Sequence, residues 1–147
     1  MSNDEETFRR LALELRILEG TADAIQSRSS MVNAALTELV VAGMTLEGLE
    51  KEKTDAPLFV PIGGGSYIEA KLGSEDKVVV SIGAGVAIER TLKEAKDTVT
   101  SRIAELEKTR TTLEQQLRQV IEKIQDNRAQ LQEMSAKLSE GEKAAGV

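Results

Sequence analysis

The sequence predicts an α+β chain: a long antiparallel two-helix coiled coil interrupted by two central β-hairpins, which join with those of other subunits into one oligomeric body. Three observations predict it. Apolar residues recur at alternating steps of three and four through the first and last thirds, and between them the period switches to two. Aromatic residues are only 2% of the 147 residues while charged residues are 30%, the profile of a solvent-exposed coiled coil rather than of a bulky globular core. The expected division is a first helix over residues 1–42, a hairpin region over 43–85, a second helix over 86–140 and a flexible tail over 141–147.

In the first helix, Phe8, Leu11, Leu15, Leu18, Ala22, Ile25, Ser29, Val32, Leu36 and Leu39 form a sustained a/d seam. Asn3 or Asp4 is positioned to cap its start, and Glu5 and Glu6 complement the helix dipole. Gly43 and Gly48 mark its end. The last third repeats the pattern through Leu106, Arg110, Leu113, Leu117, Val120, Ile124, Asn127, Leu131, Met134 and Leu138. Upstream, Leu92, Ala95, Val99 and Ile103 run at steps of three, four and four, a stutter through which the helix continues. Each stripe is too long to be buried alone, and a single chain that turns over and comes back makes the pairing antiparallel.

Four short strands are expected between the helices: Thr45 to Glu50, Leu58 to Ile62, Ser66 to Leu72 and Lys77 to Ile82. Turns at Thr54-Asp55, Gly63-Gly64-Gly65 and Gly73-Ser74-Glu75-Asp76 separate them. Ile68, Ala70 and Leu72 alternate with Tyr67, Glu69 and Lys71, giving one buried and one wet face, whereas Val78, Val79 and Val80 read as buried on both sides. A sheet this small cannot leave its edges open, and Pro57 and Pro61 limit how its strands pair. Strands of other subunits solve the problem. The residues expected to carry that assembly are Leu58, Val60, Ile62, Ile68 and Ala70 in one hairpin, and Val78, Val80 and Ile82 in the other.

Composition narrows the function. A net charge of −6 disfavours nucleic acid, since each phosphate contact needs a cation. There is no Cys and no His, which removes disulfides, thiolate zinc sites and the commonest general base. The acidic start MSNDEE is unlike a signal peptide, and the uncharged runs fall short of the roughly 20 apolar residues that span a bilayer. A cytoplasmic protein without a membrane partner is expected.

One motif argues for an enzyme. In VVVSIGAGVAIER, residues 78–90, β-branched residues feed Gly83, Ala84 and Gly85, as a strand feeds a dinucleotide-binding turn. Ile88 stands where the third small residue belongs, and the expected acid falls at Glu105 or Glu107, inside the heptads. Gly63-Gly64-Gly65 is followed by no P-loop Gly-Lys-Ser or Gly-Lys-Thr. The glycines at 83 and 85 are therefore expected to form a strand-to-helix joint. The carboxylates sit on solvated helix faces among Lys and Arg, outside any apolar pocket that would raise their pKa. No cofactor, no metal and no catalytic residue is assigned, and the chain is expected not to be an enzyme.

The middle of the chain resembles the prefoldin family. Val60 to Tyr67 match its Val-Pro-Val/Ile-Gly-x-Gly-Ser-aromatic segment, and Ser81 to Ala87 match its Ser-Val/Ile-Gly-x-Gly-x-Ala segment. The helices agree with the family only in pattern. Two hairpins rather than one place the resemblance with the α class. It implies a hexamer of two α-class and four β-class prefoldin subunits, with hairpins joined into a double β-barrel and six coiled coils hanging below. It also implies ATP-independent capture of unfolded client proteins between the coiled-coil tips and handover to a group II chaperonin.

The residues offer a matching mechanism. An antiparallel pair brings both chain termini to one tip, where Leu13 at an f position and Ile17 at a c position are not needed by the seam. Phe8, Leu11, Met134 and Leu138 lie beside them, and such a patch calls for a partner. These six are the candidate client-binding residues. The competing reading is a structural or filament-forming coiled-coil relative whose tips bind nothing. Arg110 and Asn127 occupy seam positions where apolar residues are more stabilising; a polar residue there fixes register at a cost.

Overall fold

The computed structural model describes residues 3–74 and 77–146, in the order α1 (Asn3–Glu50), β1 (Pro57–Gly63), β2 (Ser66–Lys71), β3 (Val78–Gly83), β4 (Val86–Arg90) and α2 (Leu92–Ala145). Glu75 and Asp76 of the expected third turn, and Val147, lie outside the described residues. The chain forms two compact units, one of Met1–Asn33 with Lys108–Val147 and one of Ala34–Glu107.

Both helices follow their heptads. Every seam residue predicted in α1 and α2 is buried or half-buried, with Leu11, Ile25, Leu36, Ala95, Leu113, Ile124 and Asn127 among the driest. The pairing is antiparallel in each unit. In the first, Arg128 of α2 donates to Glu19 of α1 at 2.9 Å. In the second, Leu46 packs with Leu92 and Ala95, and Lys96 meets Glu50 at 2.7 Å. Through the stutter at Val99 and Ile103 the helix is unbroken.

Four expectations about boundaries are corrected. Residues 45–50 are not a strand: α1 runs through Gly43 and Gly48 to Glu50, because Leu46 takes the next d position and is buried. A Cβ at Gly43 would touch only Val99 Cγ1, at 3.6 Å, so the small residue merely sits in the seam. Asn3 and Asp4, expected as caps, already belong to the first turn, where Asp4, Glu5 and Glu6 face the dipole. The second helix does not start at 86, since Val86–Arg90 is strand β4. Its cap is Thr91, whose Oγ1 accepts from Glu94 N–H at 3.1 Å, half of a Thr-x-x-Glu capping box. At the other end α2 continues through Gly141 to Ala145.

The four strands make two separate antiparallel hairpins, β1–β2 and β3–β4. Their registers repeat at an offset of 20 residues: Val60 pairs with Ile68 and Val80 with Ile88, Gly63 with Ser66 and Gly83 with Val86. Each carries a bulge one residue before its turn, at Ile62 and at Ile82. The turn pairs Gly64-Gly65 and Ala84-Gly85 all have positive φ, as a two-residue type I′ loop requires. Ala84 adopts φ 52° without glycine's freedom. The strand-to-helix joint expected at Gly83 to Gly85 is therefore a strand-to-strand turn. It opens no helix, so it lacks the helix N-terminus on which a pyrophosphate would rest.

α1 contains a stretch of mean hydropathy 1.3, long and apolar enough by length and composition to cross a membrane. Only 6% of that stretch is buried within the chain: the seam takes Leu36 and Leu46, while Met31, Val41 and Met44 of the same helix are exposed.

Candidate functional site

Two surfaces stand out, one in each unit. In the unit of residues 34–107 it is formed by the hairpins. Val78 and Val80 pack on a small core of Leu46, Leu92 and Ala95, with Leu49 and Val99 beside them. The Arg102 guanidinium of α2 donates to the Ser81 carbonyl at 2.9 Å and ties the strand to the helix. Val79, expected to be buried on both sides, is 67% exposed because alternation turns it away from that core.

Of the expected assembly residues, Leu58, Ala70, Val78 and Val80 are half-buried, while Val60, Ile62, Ile68 and Ile82 are exposed. Tyr67 is exposed as its place on the wet face predicts, Ile68 is exposed although its face was expected to be buried, and Phe59 and Val86 are exposed apolar residues not counted among the assembly residues. Period-two alternation was the available signal, since Phe59 pairs with Glu69 and Pro61 with Tyr67 on the second face of β1–β2. Apolar side chains thus line both faces of that hairpin, and each two-stranded sheet has unpaired outer edges. Isolated hairpins of this size are marginal in water, and such edges are templates for further strands.

In the unit of residues 3–33 and 108–146, the second surface lies where α1 begins and α2 ends. Leu13 and Ile17 are 60% and 63% exposed. Leu13 borders a shallow concavity with Phe8, Arg9, Ala12 and Arg16. Phe8, Met134 and Leu138 are half-buried. Leu11 is 6% exposed and belongs to the dry seam, so it reaches a partner only if the helices part. Asn127 is 5% exposed, and its Oδ1 has no hydrogen-bond partner, an orphaned acceptor of the kind that costs stability. Met31, Val41 and Met44 of α1 are also exposed. Like Leu13 and Ile17 they stand at b, c and f heptad positions, so the register itself held the signal.

Among the described residues no three acidic side chains gather to hold a metal ion. Lys96 titrates above its ordinary 10.5, chiefly because of its hydrogen bond to Glu50.

Comparison with known proteins agrees with this arrangement. The family model described as prefoldin subunit matches residues 18–137. The prefoldin subunit alpha of Methanobrevibacter smithii is 30% identical over 144 residues, 97% of each chain. That of Methanococcoides burtonii is 36% identical over 104 residues, covering 71% of this chain and 75% of its own. Among solved structures, the filamentous PFD from Methanocaldococcus jannaschii superposes with a TM-score of 0.68 at 27% identity, over 78% of this chain and 95% of that one. The prefoldin beta subunit from Thermococcus strain KS-1, at TM-score 0.58 and 20% identity over 90% and 96% of the two chains, shares the fold.

Proposed function

Because the chain belongs to the prefoldin subunit family, we propose that it is the α-class subunit of an ATP-independent cytoplasmic holdase. Its hairpins join those of β-class subunits into a β-barrel body, two α with four β. Its helix ends hold non-native proteins and release them to a group II chaperonin. The observation that carries the client-binding part is the exposure of Leu13 and Ile17, one helical turn apart and beside Phe8 near the chain ends, since neighbouring exposed apolar side chains mark a site for a partner. Flexible Met134 and Leu138 beside them adapt to varied apolar surfaces. The assembly part is supported by the uncovered hairpin faces and edges described above.

The test is light scattering from a chemically unfolded client diluted into buffer without ATP, with this chain and a β-class partner. Full-length chain is compared with one lacking residues 1–13 and 134–147. Suppression by the first and not the second, with both assembled, is the expected result. A second reading, a filament-forming assembly without clients, draws on the likeness to a filamentous relative. Filaments in electron micrographs, with no suppression of scattering, would establish that reading instead.

A further inference from the structure

The two flanks of the helix pair near the chain ends differ. On one, e positions face each other and are closed by the Arg128 to Glu19 ion pair. On the other, the g positions Thr21 and Arg28 of α1 approach Gln116 and Lys123 of α2 around an open groove. Its floor is apolar: Ile25 and Val120 from the seam, with Ile17, Gly20 and Ala24 from the outer face of α1. Small residues at Gly20 and Ala24 leave the width. A second, shallower stretch of the same flank follows along α2, where Arg28 and Gln116 are joined by Lys108, Thr112 and Leu113. From Lys108 to Lys123 the flank measures roughly 22 Å at about 1.5 Å per helical residue. Three cations line the two stretches and no carboxylate does, although the whole chain carries a net charge of −6.

We propose that this flank is a docking groove for an extended client segment in which apolar side chains alternate with carboxylates. The proposal rests on the holdase reading and adds a class of segment to it. Apolar anchors fill the space above Gly20 and Ala24, and the carboxylates meet Arg28, Lys108 and Lys123, which have no acidic neighbour in the groove. The exposed Ile17 on its wall stands one helical turn from the exposed Leu13. Charge complementarity chooses acidic segments over basic ones and acts mainly on selection and capture rate. A second copy of this acidic chain is the competing occupant.

The experiment uses two labelled, unstructured peptides of about 15 residues. Each has leucine at every second position, with glutamate between the leucines in one and lysine in the other. Binding to the assembled full-length protein is followed by fluorescence anisotropy at low salt. The glutamate peptide is expected to bind about fivefold more tightly, with the difference shrinking as salt screens it. The variant R28E/K108E/K123E should abolish or invert the preference, and the milder K123E should halve it, with helicity checked by circular dichroism. Equal binding of the two peptides, or an unchanged preference in both variants, overturns the groove. A change of assembly size in place of peptide preference makes the flank a subunit contact and overturns it too. Client aggregation is measured alongside: suppression by the wild type with no peptide preference defeats the groove alone, whereas no suppression at all defeats the holdase reading.

Discussion

Hairpins β1–β2 and β3–β4 share a register, a bulge and a turn with two positive-φ residues, yet it is the second whose valines pack on the buried Leu46 cluster. Val78 and Val80 meet Leu46, Leu92 and Ala95, and Arg102 holds the Ser81 carbonyl. Their equivalents Leu58 and Val60 are not part of that core, and apolar side chains on both faces of β1–β2 are exposed. The same local structure therefore stands in two settings. One copy packs valines of β3 on the helix pair, and the other leaves apolar side chains exposed on both faces. The difference teaches that turn geometry makes a hairpin, while packing on one face decides its setting.

The sharpest way to break this contrast is a matched pair of charges. Val80→Asp puts an unpaired carboxylate against the Leu46 core and should cost about 2–4 kcal/mol in urea unfolding. Val60→Asp should leave unfolding of the single chain nearly unchanged but reduce assembly size in sedimentation. Equal losses of stability would end the distinction between packed and exposed hairpins. A change outside both hairpins gives a scale of opposite sign. Asn127→Leu removes the orphaned buried oxygen and should stabilise by about 1–3 kcal/mol, raising Tm. An unchanged or lower Tm would contradict its seam placement.

Smaller effects sharpen the comparison. Gly64→Ala gives the first turn the residue found at Ala84 and should cost about 1 kcal/mol of left-handed strain, detectable in the assembly's melting curve. Arg102→Met removes the link between α2 and β3. A loss of about 1 kcal/mol is expected, with hydrogen exchange in β3 rising and that in β1 unaltered. The smallest change should follow Lys96→Met, because its bond to Glu50 lies at the surface, open to solvent screening. The lysine pKa is raised in the folded chain, so any stability from that pair is complete below the ordinary 10.5. It is lost only as pH climbs through the raised value. A stability difference between wild type and Lys96→Met that varied around neutral pH would rule this account out.

The heptad seam was readable almost residue by residue, from Phe8 to Leu39 and from Leu92 to Leu138. The middle was less so. Thr45 to Glu50 alternates and contains Gly48, so it resembles a strand until Leu46 is counted as the next seam residue. Val86 to Arg90 has neither Gly nor Pro and fits a helix as well as a strand. Two signals would have resolved it: the capping box of Thr91 and Glu94, and the echo of Ile62-Gly-x-Gly in Ile82-Gly-x-Gly at an offset of 20. Among candidate binding residues, heptad position placed Leu13 and Ile17 outside the seam, and it equally marked Leu11 as a seam residue.

What the sequence determined by itself is whatever depends on period and backbone freedom: two antiparallel stripes, glycine turns and leftover apolar positions near the chain ends. Such features follow from neighbours along the chain. Only the tertiary structure decided which hairpin is anchored, that Asn127 is left without a partner, and that the g flank gathers Arg28, Lys108 and Lys123 over an apolar floor. Each of these depends on residues distant in sequence meeting across the pair, and antiparallel pairing brings together side chains whose spacing along the chain carries no trace of the contact.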